Sequence, residues 1–154
     1  MDDDFKFQLA CQFLFSLKVK TEAGEVKPVY LHSLLVALRL RSTGSDLETY
    51  IAGLLHDSIE DFEVTPAKIE KIFGKNIRTL VEANTKNNDL EEPEKGEELL
   101  TRIIATGKDA IAIKAADIIE NLLYFTKAKN QAAVTKLTKY AKYLDANNPY
   151  KVKE

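Results

Sequence analysis

Cysteine is almost missing from this 154-residue chain: Cys11 stands alone, which excludes a disulfide framework. Glycine and proline are scarce, at six and four residues, so they punctuate the sequence without pervading it. No apolar run approaches the roughly 20 residues that a membrane span requires. The opening Met-Asp-Asp-Asp lacks the basic start of a secretory leader. An excess of one charge is lacking too: 22 Lys and Arg meet 24 Asp and Glu, and a net charge of −2 excludes a nucleic-acid coat. What is there is 45% hydrophobic and 30% charged residues. At this length, folding buries roughly two-thirds of the unfolded surface. The composition predicts a soluble, cytoplasmic, single-domain protein over 1–154, with no membrane and no nucleic-acid partner.

The small net charge conceals an asymmetry. Residues 126–154 hold seven Lys against Asp145 and Glu154, a net of +5, which leaves −7 for the rest. Such an end is either the solvated face of a Lys-rich helix or a meeting place for a phosphorylated ligand.

Apolar residues recur at helical spacing, and no strand-like alternation survives a count, so the predicted fold class is all-α. Phe5, Leu9, Phe13 and Leu17 predict an amphipathic helix over 4–19, followed by a polar loop over 20–27 (KTEAGEVK). Pro28 precedes a helix carrying His32, Leu35, Val36 and Leu40. Ser45-Asp46-Leu47-Glu48 has the form of a capping box, predicting one helix that runs on through Ile51, Leu54, Leu55 and Ile59. Thr65-Pro66 and Gly74 bracket another. A helix over Ile77, Leu80 and Val81 should end near Asn87-Asn88, and the acidic 89–96 (DLEEPEKG) should be a mobile loop. Helices over about 97–105, 109–128 and 131–145 complete the chain.

The chain has two histidines, His32 and His56. Alone, each would be a packed or capping residue. The company of His56 changes that reading, because His56 and Glu60, and Asp57 and Asp61, are paired at i, i+4 within AGLLHDSIED. Burying so much carboxylate without a partner costs several kcal/mol, so a divalent cation or an open cleft must offset it. In 110–123 (AIAIKAADIIENLL), Asp117 interrupts an apolar helix with Asn121 one turn later. Taken alone, Asp117 and Lys114 would be a surface ion pair. Two His with two Asp make a four-ligand set suited to Mn²⁺, Zn²⁺ or Fe²⁺.

In this order the residues resemble the H…HD…D pattern of the HD-domain metallohydrolases, an all-α family. Within it they resemble the hydrolase domain of the RelA/SpoT type and the small alarmone hydrolases. Pro28 to His32 (PVYLH) is similar to P-Y-x-x-H with the Tyr shifted by one. Residues 52–61 (AGLLHDSIED) resemble A-x-L-L-H-D-x-x-E-D, and 65–74 (TPAKIEKIFG) resemble T-x-x-x-I-x-x-x-F-G. Asn84-Thr85-Lys86 stands where the family often has V-T-K, and 113–122 (IKAADIIENL) resembles V-K-L-A-D-x-x-x-N-L. The resemblance covers about 28–123. It implies one metal ion, Mn²⁺, on His32, His56, Asp57 and Asp117. It also implies an acidic pair, Glu60 and Asp61, serving the attacking water, and Asn121 contacting the nucleotide. The implied reaction removes the 3′-pyrophosphate of guanosine tetra- or pentaphosphate, giving GDP or GTP and pyrophosphate.

The sequence departs from the family where substrate is read. Residues 18–27 (KVKTEAGEVK) lack the family's Arg, and Leu122-Leu123-Tyr124 supplies none after Asn121. Lys20 and Lys86 are the expected phosphate contacts, with Lys127 or Lys129 from the C-terminal helices. The alternative is that Arg39, Arg78 or Arg102 folds in to supply a stacking plane. Two other functions stay open: phosphohydrolysis of another nucleotide (a monophosphate or a nicotinamide dinucleotide phosphate), and nucleotide sensing without turnover.

Overall fold

The structure, a computed structural model, describes residues 1–20 and 26–151. Among these, nine helices account for the regular structure, and the one sheet-like feature is an isolated antiparallel bridge between Val19 and Phe62. Of the expected loop over 20–27, residues 21–25 lie outside the described residues. No described helix is long and apolar enough to cross a membrane.

Helix α1 (Asp3–Ser16) starts on Asp2, whose carboxylate accepts the Phe5 N–H at 3.0 Å. It buries Phe7, Ala10 and Leu14, while Phe5 and Leu9 of the expected stripe are exposed. The reason is angular. A strict four-residue spacing drifts by about 40° per step, whereas 7, 10, 14, 17 alternates three and four and stays on one face.

Helix α2 (Val29–Ser42) packs along α3 (Leu47–Leu55), which is buried from Thr49 to Leu55 and lies against α1, α2, α6 and α8. Asp46, not Ser45, caps α3, accepting the Thr49 N–H at 2.8 Å. The Ser45 N–H is occupied in closing the end of α2 on the Leu40 carbonyl. Nor does the helix run on to Ile59: it stops at His56-Asp57, and a four-residue α4 (Ser58–Asp61) follows.

Thr65 caps α5 (Pro66–Phe73), and Gly74 ends it at φ 94°, a conformation that suits glycine. Helix α6 (Lys75–Ala83) ends at Asn84, short of the expected Asn87-Asn88. The last three residues of 89–96 are helical, because α7 (Glu94–Thr106) takes in Gly96. That glycine lets α7 approach α9 closely, since a Cβ there would run into Tyr140. Helices α8 (Lys108–Lys127) and α9 (Gln131–Asn147) then pack on each other, with α8 also crossing α2, α3 and α7.

Candidate metal centre and cleft

Three packed elements deliver the chemistry. His32 comes from the first turn of α2, His56 and Asp57 from the break between α3 and α4, and Asp117 from the middle of α8. The break matters because adjacent residues in a regular helix point about 100° apart. Here the Gly53 carbonyl takes His56 Nδ1 at 2.7 Å, the helix stops, and His56 and Asp57 both turn inward. With Nδ1–H donating to Gly53, Nε2 is the ring nitrogen that faces the site.

All four side chains are buried, and one ligand atom from each lies within 4.8 Å of the others. Asp117 Oδ1 is 2.9 Å from His32 Nε2 and 3.2 Å from His56 Nε2. Asp57 Oδ2 is 3.2 Å from His56 Nε2 and 3.7 Å from His32 Nε2. Ligand bonds of about 2.1 Å at tetrahedral or octahedral angles put neighbouring donors roughly 3.0–3.4 Å apart. The donor set therefore fits a divalent first-row cation in spacing as well as in type.

Both carboxylates are also held by cations. Lys114 donates to Asp117 Oδ2 at 2.8 Å, both groups being buried. Lys27 bridges Asp57 Oδ2 and Asn121 Oδ1 at 3.2 Å each, and Asn121 Nδ2 donates to Asp117 Oδ1 at 2.8 Å. Burial opposes ionisation of Asp57 and Asp117, but neighbouring His56 and the lysines win and hold both carboxyls well below the usual range. Burial lowers His32. It opposes the charge on His56 as well, yet Asp57 and Asp117 push that imidazole up to about 10.

Beside this cluster opens a cleft of about 350 Å³, lined by Glu60, Asp61, Asn84, Asn121 and four lysines: Lys27, Lys86, Lys114 and Lys136. Val26, Phe125, Leu137 and Tyr140 supply an apolar wall. Burial, then the charge of Asp57, raises the Glu60 carboxyl and pushes Asp61 up to about 6. Glu60 Oε1 accepts the Lys86 N–H at 2.5 Å. With Asp57 and Asp117, the four carboxylates of the wall are matched by four ammonium groups. A divalent ion would leave the cleft net positive, as a polyphosphate requires.

The sequence-derived site is thus brought together at His32, His56, Asp57, Glu60, Asp61, Asp117, Asn121 and Lys86. Lys20 stands apart: its Nζ donates to the Ile59 carbonyl at 3.0 Å, in a separate depression with Phe62 and Thr65. Lys136 takes the place expected of Lys127 or Lys129. Among the described residues no arginine lines the cleft. Arg39 pairs with Glu120, Arg78 with Glu70 and Glu82, and Arg102 with Glu98. Sequence reasoning missed Lys27, Lys136 and Tyr140, and took the buried Lys114 for a surface partner. A lysine inside AIAIKAAD was the one available signal for Lys114.

The chain is 39% identical over 106 residues to a guanosine-3′,5′-bis(diphosphate) 3′-pyrophosphohydrolase of Aquifex aeolicus, covering 67% of this chain and 15% of that protein. A probable enzyme of the same name from Mycoplasma pneumoniae is 35% identical over 150 residues, 87% of this chain and 20% of its own. The chain therefore spans a fifth or less of these curated relatives. Among solved structures, a metazoan ortholog of SpoT described as hydrolysing ppGpp superposes with a TM-score of 0.75 at 23% identity, over 94% of this chain and 86% of that one. A Listeria monocytogenes protein does so at 0.69 and 28% identity, over 82% and 86%. The HD domain model matches residues 10–143, which contain every residue of the metal cluster, and the chain belongs to the HD domain family.

Proposed function

We propose that this chain hydrolyses the 3′-pyrophosphate of guanosine tetra- and pentaphosphate, using one Mn²⁺ on His32, His56, Asp57 and Asp117. The observation that carries the reading is the convergence of this donor set with Glu60 and Asp61 on one wall of a lysine-lined cleft. The names of the Aquifex and Mycoplasma relatives support the substrate. A cytoplasmic setting belongs to the same reading and agrees with a single cysteine.

An ion held by these four residues would lower the pKa of water and screen phosphate charge. Asp117 is aimed by Lys114 and Asn121, and Asp57 by Lys27. Glu60 and Asp61 hold the attacking water and take its proton. Lys86 and Lys136 receive the phosphates. The water oxygen joins phosphorus, the bond from phosphorus to the ribose 3′ oxygen breaks, and that oxygen leaves with the proton the acidic pair took from the water. The products are GDP or GTP and pyrophosphate.

The absence of arginine from the described cleft favours a second reading, a wider set of phosphorylated nucleotides. Lysines grip phosphate as point charges and do not read a planar base. A turnover panel with Mn²⁺ separates the readings: guanosine tetraphosphate, its adenine counterpart, nucleotide monophosphates and nicotinamide dinucleotide phosphates, with pyrophosphate and phosphate measured separately. Pyrophosphate release with guanine preferred by less than about a hundredfold is expected. Orthophosphate release from the other nucleotides alone would replace this substrate, and tight binding without turnover would make the chain a nucleotide sensor.

A further inference from the structure

Arg102, on α7, lies outside the cleft, yet all five of its guanidinium hydrogens are spent. Nε and Nη2 grip the two oxygens of Glu98, each at 2.9 Å. Nη1 donates to the carbonyls of Glu82 (2.5 Å) and Ala83 (3.3 Å), and Nη2 to that of Thr85 (2.8 Å). These carbonyls lie at and just beyond the end of α6, and that of Glu82 also takes the Thr85 N–H at 3.1 Å. Asn84 Nδ2 on the Leu80 carbonyl (3.1 Å) and Thr85 Oγ1 on that of Val81 (2.8 Å) close the remainder.

The last of these contacts reaches the cleft. The Thr85 carbonyl and the Lys86 N–H belong to one planar peptide unit. Arg102 holds that plane by its oxygen, and the hydrogen on its opposite edge is donated to Glu60 Oε1 at 2.5 Å. A donor at the oxygen also polarises the peptide and strengthens the bond its N–H makes. Glu60 needs such a hold. It sits in a four-residue helix, and burial, then the charge of Asp57, opposes its ionisation.

We infer that Arg102 is a positioning residue for Glu60, acting through the Thr85–Lys86 peptide plane. This rests on the reading of Glu60 as an acceptor of the water's proton. Lysine cannot replace it, because one ammonium cannot span a carboxylate and three carbonyls.

The test compares Arg102→Lys, Glu60→Gln and the double variant in the Mn²⁺-loaded full chain. The readouts are kcat and KM on guanosine tetraphosphate, metal content, and hydrogen exchange at the Lys86 amide. In Arg102→Lys we expect Lys86 exchange to rise about tenfold or more, and kcat to fall about ten- to a hundredfold with KM and metal content kept. The double variant should be no slower than Glu60→Gln alone, because both changes remove one function. Should Arg102→Lys fail to fold, Glu98→Gln loosens the same fork and carries the same expectation at about threefold. Unchanged Lys86 protection, or losses that multiply in the double variant, would overturn the inference. Parental turnover in Glu60→Gln would instead remove the reading of Glu60, while Lys86 exchange would still report on the clamp.

Discussion

Glu60 and Asp61 are adjacent carboxylates with different supports. Glu60 accepts a peptide N–H, whereas burial and Asp57 push the Asp61 carboxyl up to about 6. Glu60→Gln keeps that hydrogen bond's geometry but cannot take a proton. It should leave manganese content unchanged and lower kcat by a factor on the order of 10²–10⁴. Metal analysis beside steady-state kinetics decides this, and a loss of metal would move Glu60 among the ligands. The lysines divide in the same way. Lys136→Ala should raise KM more than it lowers kcat, the mark of lost uniform binding, while Lys20→Ala should leave KM within about twofold. The candidate ligands were legible in the sequence because they sit in short motifs. Lys27 was not, because it meets Asn121 across 94 residues and only the packed fold brings them together.

At the scale of the element, local chemistry sets the ends of helices. Asp46→Ala should cost about 1 kcal/mol at pH 7, and Ser45→Ala within about 0.5 kcal/mol of nothing. Hydrogen bonding from Thr49 holds the Asp46 carboxyl below its ordinary value. A lowered carboxyl stabilises the fold above the unfolded pKa of about 3.9 and loses that contribution as pH falls through the folded value. The gap between Asp46→Ala and the parent should therefore shrink at low pH in urea unfolding. Gly53 serves two elements at once. A Cβ there would run into buried Leu40 Cδ1, and its carbonyl orients His56. Gly53→Ala should cost about 1–3 kcal/mol in thermal melts and weaken metal binding. Periodicity located the helices but not the stop at His56-Asp57, since the Gly53 carbonyl at the end of α3 is taken by the backbone and the side chain of His56, which hydrophobic spacing does not register.

Across the whole molecule, a metal at this site would tie α2, the α3–α4 turn and α8 together, joining residues 85 apart in sequence. An ion bound only by the folded chain stabilises it by about 2.7 kcal/mol at a hundred times its Kd. Removing it with a chelator should lower Tm by about 5–10 °C in the parent and not at all in Asp117→Ala. The basic C-terminal end, ambiguous as a sequence, divides by geometry: Lys136 faces the cleft, while Lys139 and Lys142 lie on α9 outside it. The central claim is that one divalent ion sits on two imidazoles and two carboxylates. A Mn²⁺ titration followed by electron paramagnetic resonance tests it most directly. One ion per chain, with nitrogen coupling from two histidines and no binding in Asp117→Ala, is the result expected. Stoichiometric Mn²⁺ in Asp117→Ala, or an ion in the parent without nitrogen coupling, would contradict it.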